Sequence, residues 1–109
     1  MNVILSEEAE RFLTQESTAV RQKFDTAIQK TVAGFKGNWF KKLADTDGIF
    51  EFRVEVATNI YRLLAFWDTR DVKHTLIVCT HGFQKKTNKT PPTQIERATR
   101  IKHAYFATT

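Results

Sequence analysis

Residues 50–56, FEFRVEV, alternate strictly between apolar and charged side chains. That period of two predicts a half-buried strand, with Phe50, Phe52, Val54 and Val56 on one face and Glu51, Arg53 and Glu55 on the other. Residues 60–68, IYRLLAFWD, are apolar on both faces and predict a central strand. A tight connection at Ala57-Thr58-Asn59 would pair these strands and set Arg53 roughly opposite Arg62. After a turn at Asp68 to Asp71, His74 to Phe83 reads as the third strand of a meander, with the apolar run Leu76 to Cys79 buried.

Upstream the period becomes helical. Asn2 to Leu5 reads as a short strand or lead-in, and Ser6 is placed to cap a first helix whose first turn holds Glu7 and Glu8. Ala9, Phe12 and Leu13 form its apolar face, and Gln15 to Thr18 reads as a turn. Val20, Phe24, Ala27, Ile28 and Phe35 predict a second helix over 19–35, ended by Gly34 and Gly37. Trp39, Phe40 and Leu43 read as a connecting segment packed on the core, with Lys41 and Lys42 between them, and Thr46-Asp47-Gly48 reads as a turn. Downstream, Pro91 and Pro92 stop any earlier helix, and Thr93 with Glu96 has the spacing of a capping box. Ile95, Ala98, Ile101, Lys102 and Tyr105 then lie near one face of a last helix. The expected architecture is a single α+β domain over 1–109: an N-terminal strand and two helices, an antiparallel sheet meander, and a C-terminal helix.

Charge changes the picture more than composition does. Residues 1–80 hold 11 basic and 11 acidic side chains, so the entire +5 lies in residues 81–109. Lys85, Lys86, Lys89, Arg97, Arg100 and Lys102 stand there against Glu96 alone. Positive charge concentrated in this way suits an anionic partner, nucleic acid above all, or else a basic tail that only aids solubility. The single cysteine, Cys79, excludes an internal disulfide and reads as a buried inert thiol. The amino terminus turns acidic after a few residues, and no apolar run is long enough to span a bilayer. A cytoplasmic setting without membrane contact is the expectation.

Arg62 is the most conspicuous single residue, a guanidinium in an otherwise apolar strand. Desolvating it calls for an anion, either an internal partner such as Glu51 or Glu55 or a bound phosphate. Arg53, opposite, would repel it unless an anion sat between them. Lys85, Lys86 and Lys89 follow a strand end, where lysines can hold a phosphodiester backbone. His81 heads the same segment and could carry a proton near neutral pH, or could merely be a solvated or capping group. His74 and His103 read as surface residues, and Tyr105 and Phe106 as packing. There is no metal-ligand spacing, Gly-rich phosphate loop or nucleophile elbow, so no cofactor is expected.

In order, the pieces SEEAERFL (6–13), DGIFEFR (47–53), NIYRLLAFWD (59–68), HGFQKKTNKTPP (81–92) and IERATRIKHAY (95–105) resemble the phage-derived, HigB-like branch of the RelE/ParE toxin superfamily. The resemblance implies the toxin of a type II toxin–antitoxin pair, a ribosome-dependent endoribonuclease cutting messenger RNA in the ribosomal A site. It implies a HigA-like helix-turn-helix antitoxin as partner in a heterocomplex. It assigns Arg62 to the scissile phosphate and Arg53 to a basic position on the preceding strand. Gln84, Lys85 and Lys86 stand where the superfamily often carries a catalytic arginine. The resulting expectation is Arg62, Arg53, Lys85, Lys86 and His81 as catalytic residues, with Lys89, Arg97 and Arg100 as further RNA contacts. A gyrase-binding relative of ParE type, or a non-catalytic relative that only binds antitoxin or nucleic acid, are the competing readings.

Overall fold

The computed structural model describes residues 1–108. In chain order the elements are β1 (Asn2–Leu5), α1 (Glu7–Gln15), α2 (Thr18–Val32), β2 (Phe40–Lys42), β3 (Phe50–Val56), β4 (Asn59–Asp68), β5 (Leu76–Lys85) and α3 (Pro92–Thr108). The strands form one sheet in the order β1-β5-β4-β3-β2. The β2–β5 ladder is antiparallel, and β1 adds a parallel strand beside β5, so the sheet is mixed.

The alternating residues put one apolar layer on each face of the sheet. Phe52, Val54, Tyr61, Leu63, Ala65, Ile77 and Cys79 pack against α1 and α2 through Ala9, Val20, Phe24 and Ala27. On the opposite face Leu64, Phe66 and Val78 meet Ile49 and α3, through Ala98, Ile95, Tyr105 and Phe106. Burying each such large side chain contributes about 1.5–3 kcal/mol. Helix α3 covers only part of its face. The end of the sheet near the β3–β4 hairpin is left to the polar side chains of β3, β4 and β5.

Ser6 and Ser17 cap α1 and α2, accepting from the amides of Ala9 and Val20. Helix α2 stops at Val32, three residues before the expected end, because Gly34 takes a left-handed φ of +92°. The segment expected to be a mere connection contains β2, an edge strand of three residues too short to show a period. The expected capping box at Thr93 is not formed. Helix α3 opens on the prolines, and the Pro91 carbonyl accepts from Gln94 N at 3.0 Å and Ile95 N at 3.3 Å. A proline suits a first helical turn, where its missing N–H would have no partner.

Strand β5 begins at Leu76 rather than His74 and runs on to Lys85. Midway it carries one extra residue. Cys79 pairs with Ala65 and His81 with Leu64, so Thr80 has no partner across the ladder. Side chains serve the backbone at this bulge: Thr80 Oγ1 donates to the Leu64 carbonyl at 3.2 Å, and Ser6 Oγ to the Thr80 carbonyl at 2.6 Å. Val78 before the bulge and His81, Phe83 and Lys85 after it therefore share the face of Leu64 and Arg62. Gly82 faces the other way, against the Phe12 ring, where a Cβ would come within 2.2 Å of it.

Candidate anion-binding site

The β3–β4 hairpin closes through Ala57 and Thr58, with Val56 paired to Asn59 and Ala57 at a φ of +56°. This register sets Arg53 directly opposite Arg62 on one face. Like charges on directly paired residues repel unless something intervenes. Glu51 does so. Its Oε1 accepts from Arg53 Nε at 2.8 Å and lies 3.4 Å from Arg62 Nε, and the carboxylate is 1% exposed. Thr90 Oγ1 donates to Glu51 Oε2 at 2.7 Å, tying the segment after β5 to the arginine pair.

Here the one carboxylate, already bonded to Arg53 and Thr90, leaves Arg62 incompletely satisfied. Arg62 is 9% exposed and donates from Nη1 to the Tyr61 carbonyl at 3.0 Å. Its Nε lies close enough to Glu51 to be attracted but is not aligned for a hydrogen bond, and has no hydrogen-bond partner among the described residues. Burial pushes the Arg62 guanidinium below its ordinary pKa, an effect that Glu51 partly offsets and Arg53 reinforces. Such a buried, incompletely paired arginine is a ready partner for an oxyanion. Lys85, half-buried at the end of β5 on the same face, is also held below the usual lysine range, first by burial and then by Arg62.

The expected site residues therefore divide. Arg53, Arg62 and Lys85 come together. Lys86 and Lys89 are exposed on the segment that Thr90 anchors, beside this group. Arg97 is paired with Glu8 of α1, lining a separate hollow with Phe12, His81 and Gly82, and Arg100 is exposed on α3. His81 is not at the head of a solvated loop. It is 2% exposed within β5, bracketed by Gln94 Oε1 at 2.8 Å and Thr80 Oγ1 at 3.2 Å, and burial lowers its pKa. Lys41, a linker residue by its sequence surroundings, belongs to β2. There it pairs with Glu51, which places it on the face of the arginine pair. Only recognition of β2 in the sequence could have found it. Tyr105 packs against Phe66 and donates to Asp68 Oδ2 at 2.7 Å, a structural role at the opposite end of β4.

Among the described residues, no three His, Cys, Asp or Glu side chains converge to hold a metal ion, and no helix is long and apolar enough to cross a membrane. What the site offers is two guanidiniums and an ammonium around one buried carboxylate, open at the sheet end.

Fold and site thus define a small α+β protein with a cation-bearing sheet face suited to an anionic ligand. The family described as phage derived protein Gp49-like (DUF891) matches residues 11–103, and the chain belongs to it. Comparison with individual curated proteins gives no match.

Proposed function

We propose that this protein is the toxin of a type II toxin–antitoxin pair and cleaves messenger RNA in the ribosomal A site. The observation that carries the reading is the Arg53–Arg62 pair sharing the single carboxylate of Glu51, with both arginines lining one open hollow. Membership of a phage-derived family is consistent with a toxin. So is the ordered set of sequence pieces that resemble the HigB-like branch.

The chemistry follows from the groups at hand. The ribose 2′-oxygen attacks the adjacent phosphorus, the bond to the 5′-oxygen breaks, and the products are a 2′,3′-cyclic phosphate and a 5′-hydroxyl. Arg62 and Arg53 stabilise the added charge on the phosphorane oxygens, where one well-placed donor is worth about a hundredfold to a thousandfold in rate. Proton transfer falls to Lys85, an ammonium whose hold on its proton is weakened by burial and by Arg62, whereas the guanidiniums stay protonated. His81 is too enclosed for that task. Lys86 and Lys89 hold flanking phosphates, and the ribosome orients the message. A helix-turn-helix antitoxin forms the restraining heterocomplex in the cytoplasm.

The test is to map RNA 5′ ends after brief induction of the lone protein and of its Arg62→Ala variant. New ends within translated coding regions, present for the first and absent for the second, are expected. Growth arrest with intact messages and stalled gyrase complexes would select a gyrase-binding toxin instead.

A further inference from the structure

Two adjoining hollows share one wall. The first, over the arginine pair, is lined by Asn38, Trp39, Arg53, Val54, Glu55 and Arg62. The second, toward α2, also has Trp39, Arg53, Val54 and Glu55 in its lining, and adds Lys23 and Lys30. Together they hold four cations against one carboxylate, Glu55. Lys23 and Lys30 stand two turns apart on the same side of α2, and both are exposed. Neither pairs with a carboxylate among the described residues: Lys23 Nζ donates to the Glu55 carbonyl at 2.6 Å, and Lys30 Nζ sits 4.8 Å from the centre of the Trp39 ring. Trp39 is itself held in place, its Nε1 donating to Thr31 Oγ1 at 3.1 Å.

An aromatic ring flanked by cations can take a nucleobase on its face with phosphates on either side, and Lys30 over Trp39 shows that face already drawing a cation. We propose that a single-stranded RNA bound at Arg53 and Arg62 continues over Trp39 onto α2, with Lys23 and Lys30 touching phosphates of the flanking nucleotides. This rests on the reading of the arginine pair as an RNA site and extends it to a second set of residues. Lys30 leaves the ring face to reach a phosphate, and a base takes its place on Trp39. The track lies within residues 1–80, whose charges sum to zero, so it is local geometry and not net charge that makes it.

The test uses fluorescein-labelled 2′-O-methyl oligoribonucleotides of three and eight residues, which lack the attacking hydroxyl and stay uncut, with binding followed by anisotropy across a salt series. The wild-type protein should bind the longer strand at least about tenfold more tightly, since each further phosphate that is neutralised releases counterions. In the Lys23→Gln/Lys30→Gln protein that advantage should vanish. The slope of log K against log salt should shrink by about 1.4, the value for a single strand with two fewer phosphates neutralised. Its affinity for the trimer should stay within about twofold of wild type. Both lysines are exposed, and an unchanged melting curve establishes that the variant folds. If the double variant binds the octamer as wild type does while Arg62→Ala weakens both strands, the extension is wrong and the arginine site stands. The α2 lysines would then be left to an acidic protein surface. Equal affinity for a blunt octamer duplex also overturns it, because a paired strand has no free base to stack. Absence of binding to either strand, or indifference to Arg62→Ala, removes the arginine-site reading itself.

Discussion

Replacing Glu51 by glutamine should make the protein less stable and its arginine site a better anion binder. The glutamine keeps the shape of the side chain but removes the one charge that lies between Arg53 and Arg62. Breaking a buried ion pair from one side costs about 3–5 kcal/mol. The Arg53 side chain is 35% exposed and can turn toward water, so the low end, about 3 kcal/mol, applies here. For a domain of this size each kcal/mol moves the melting temperature by about 4 °C or more, giving a fall of about 12 °C. A bound oxyanion would restore the missing counter-charge. If phosphate binds the variant with a dissociation constant of about 0.1 mM, 10 mM returns about 2.7 kcal/mol. Thermal melts by circular dichroism, with phosphate exchanged for chloride at constant ionic strength, measure both effects. The wild type, whose site already holds Glu51, should gain less from phosphate than the variant. A Glu51→Gln protein that melts within a degree or two of wild type, or that is destabilised but indifferent to phosphate, would refute the argument that this carboxylate occupies an anion site.

Arg62→Ala should lower the cleavage rate by about a hundredfold to a thousandfold while costing about 1 kcal/mol or less in stability, because Glu51 keeps Arg53 and Thr90; paired activity and melting measurements separate the two. Asp68 is held well below the usual carboxylate range, first by hydrogen bonds from Arg70 and then by Tyr105. Its contribution is therefore present above the unfolded value near pH 4 and is lost as pH falls; Asp68→Asn should cost about 1–2 kcal/mol at pH 7 and flatten the fall in melting temperature between pH 4 and 2. Gly82→Ala should destabilise by about 1–3 kcal/mol, read as a drop in denaturation midpoint, because the new methyl meets the Phe12 ring. Lys85→Arg should keep RNA affinity but lower the cleavage rate by about a hundredfold or more, and the residual rate should lack the pH dependence that a titrating lysine supplies, a comparison made on pH–rate profiles.

What the sequence disclosed depended on how strong each local signal was. Strict alternation over Phe50 to Val56 and the dense apolar run after it located β3 and β4 to within a residue, and a short turn between them brought Arg53 opposite Arg62. Ser6, with acidic residues behind it, marked the start of α1 correctly. Strand β2 was invisible because three residues show no period, and with it went the placement of Lys41. The N-terminus of α3 offered two signals, prolines and a Thr–Glu pair, and the proline signal won. His81 is enclosed because α3 comes back over its face of the sheet and sets Gln94 against its ring, a contact between distant segments that the local sequence does not announce. The α2 lysines were hidden by acidic neighbours that cancel them in the count but not in space.

The extra residue in β5 gives this strand a second way to line up, and Gly82 stands guard against it. Were Thr80 to slide into the ladder opposite Leu64, every later residue would move along by one and change sides. Gln84 would come round to the arginine face, opposite Ile60, and Lys85 would leave it. The slipped strand would also have to seat His81 opposite Leu63, in the slot under the Phe12 ring where not even a methyl fits. The misaligned form is therefore blocked by bulk at one position and not by any preference of Lys85 itself. Cutting Thr80 out altogether would be gentler than letting it slip, since Cys79 and His81 already oppose neighbouring residues of β4 and would keep their sides. The smallest side chain in the strand thus decides which way the site's lysine points, from three residues away and on the other face of the sheet.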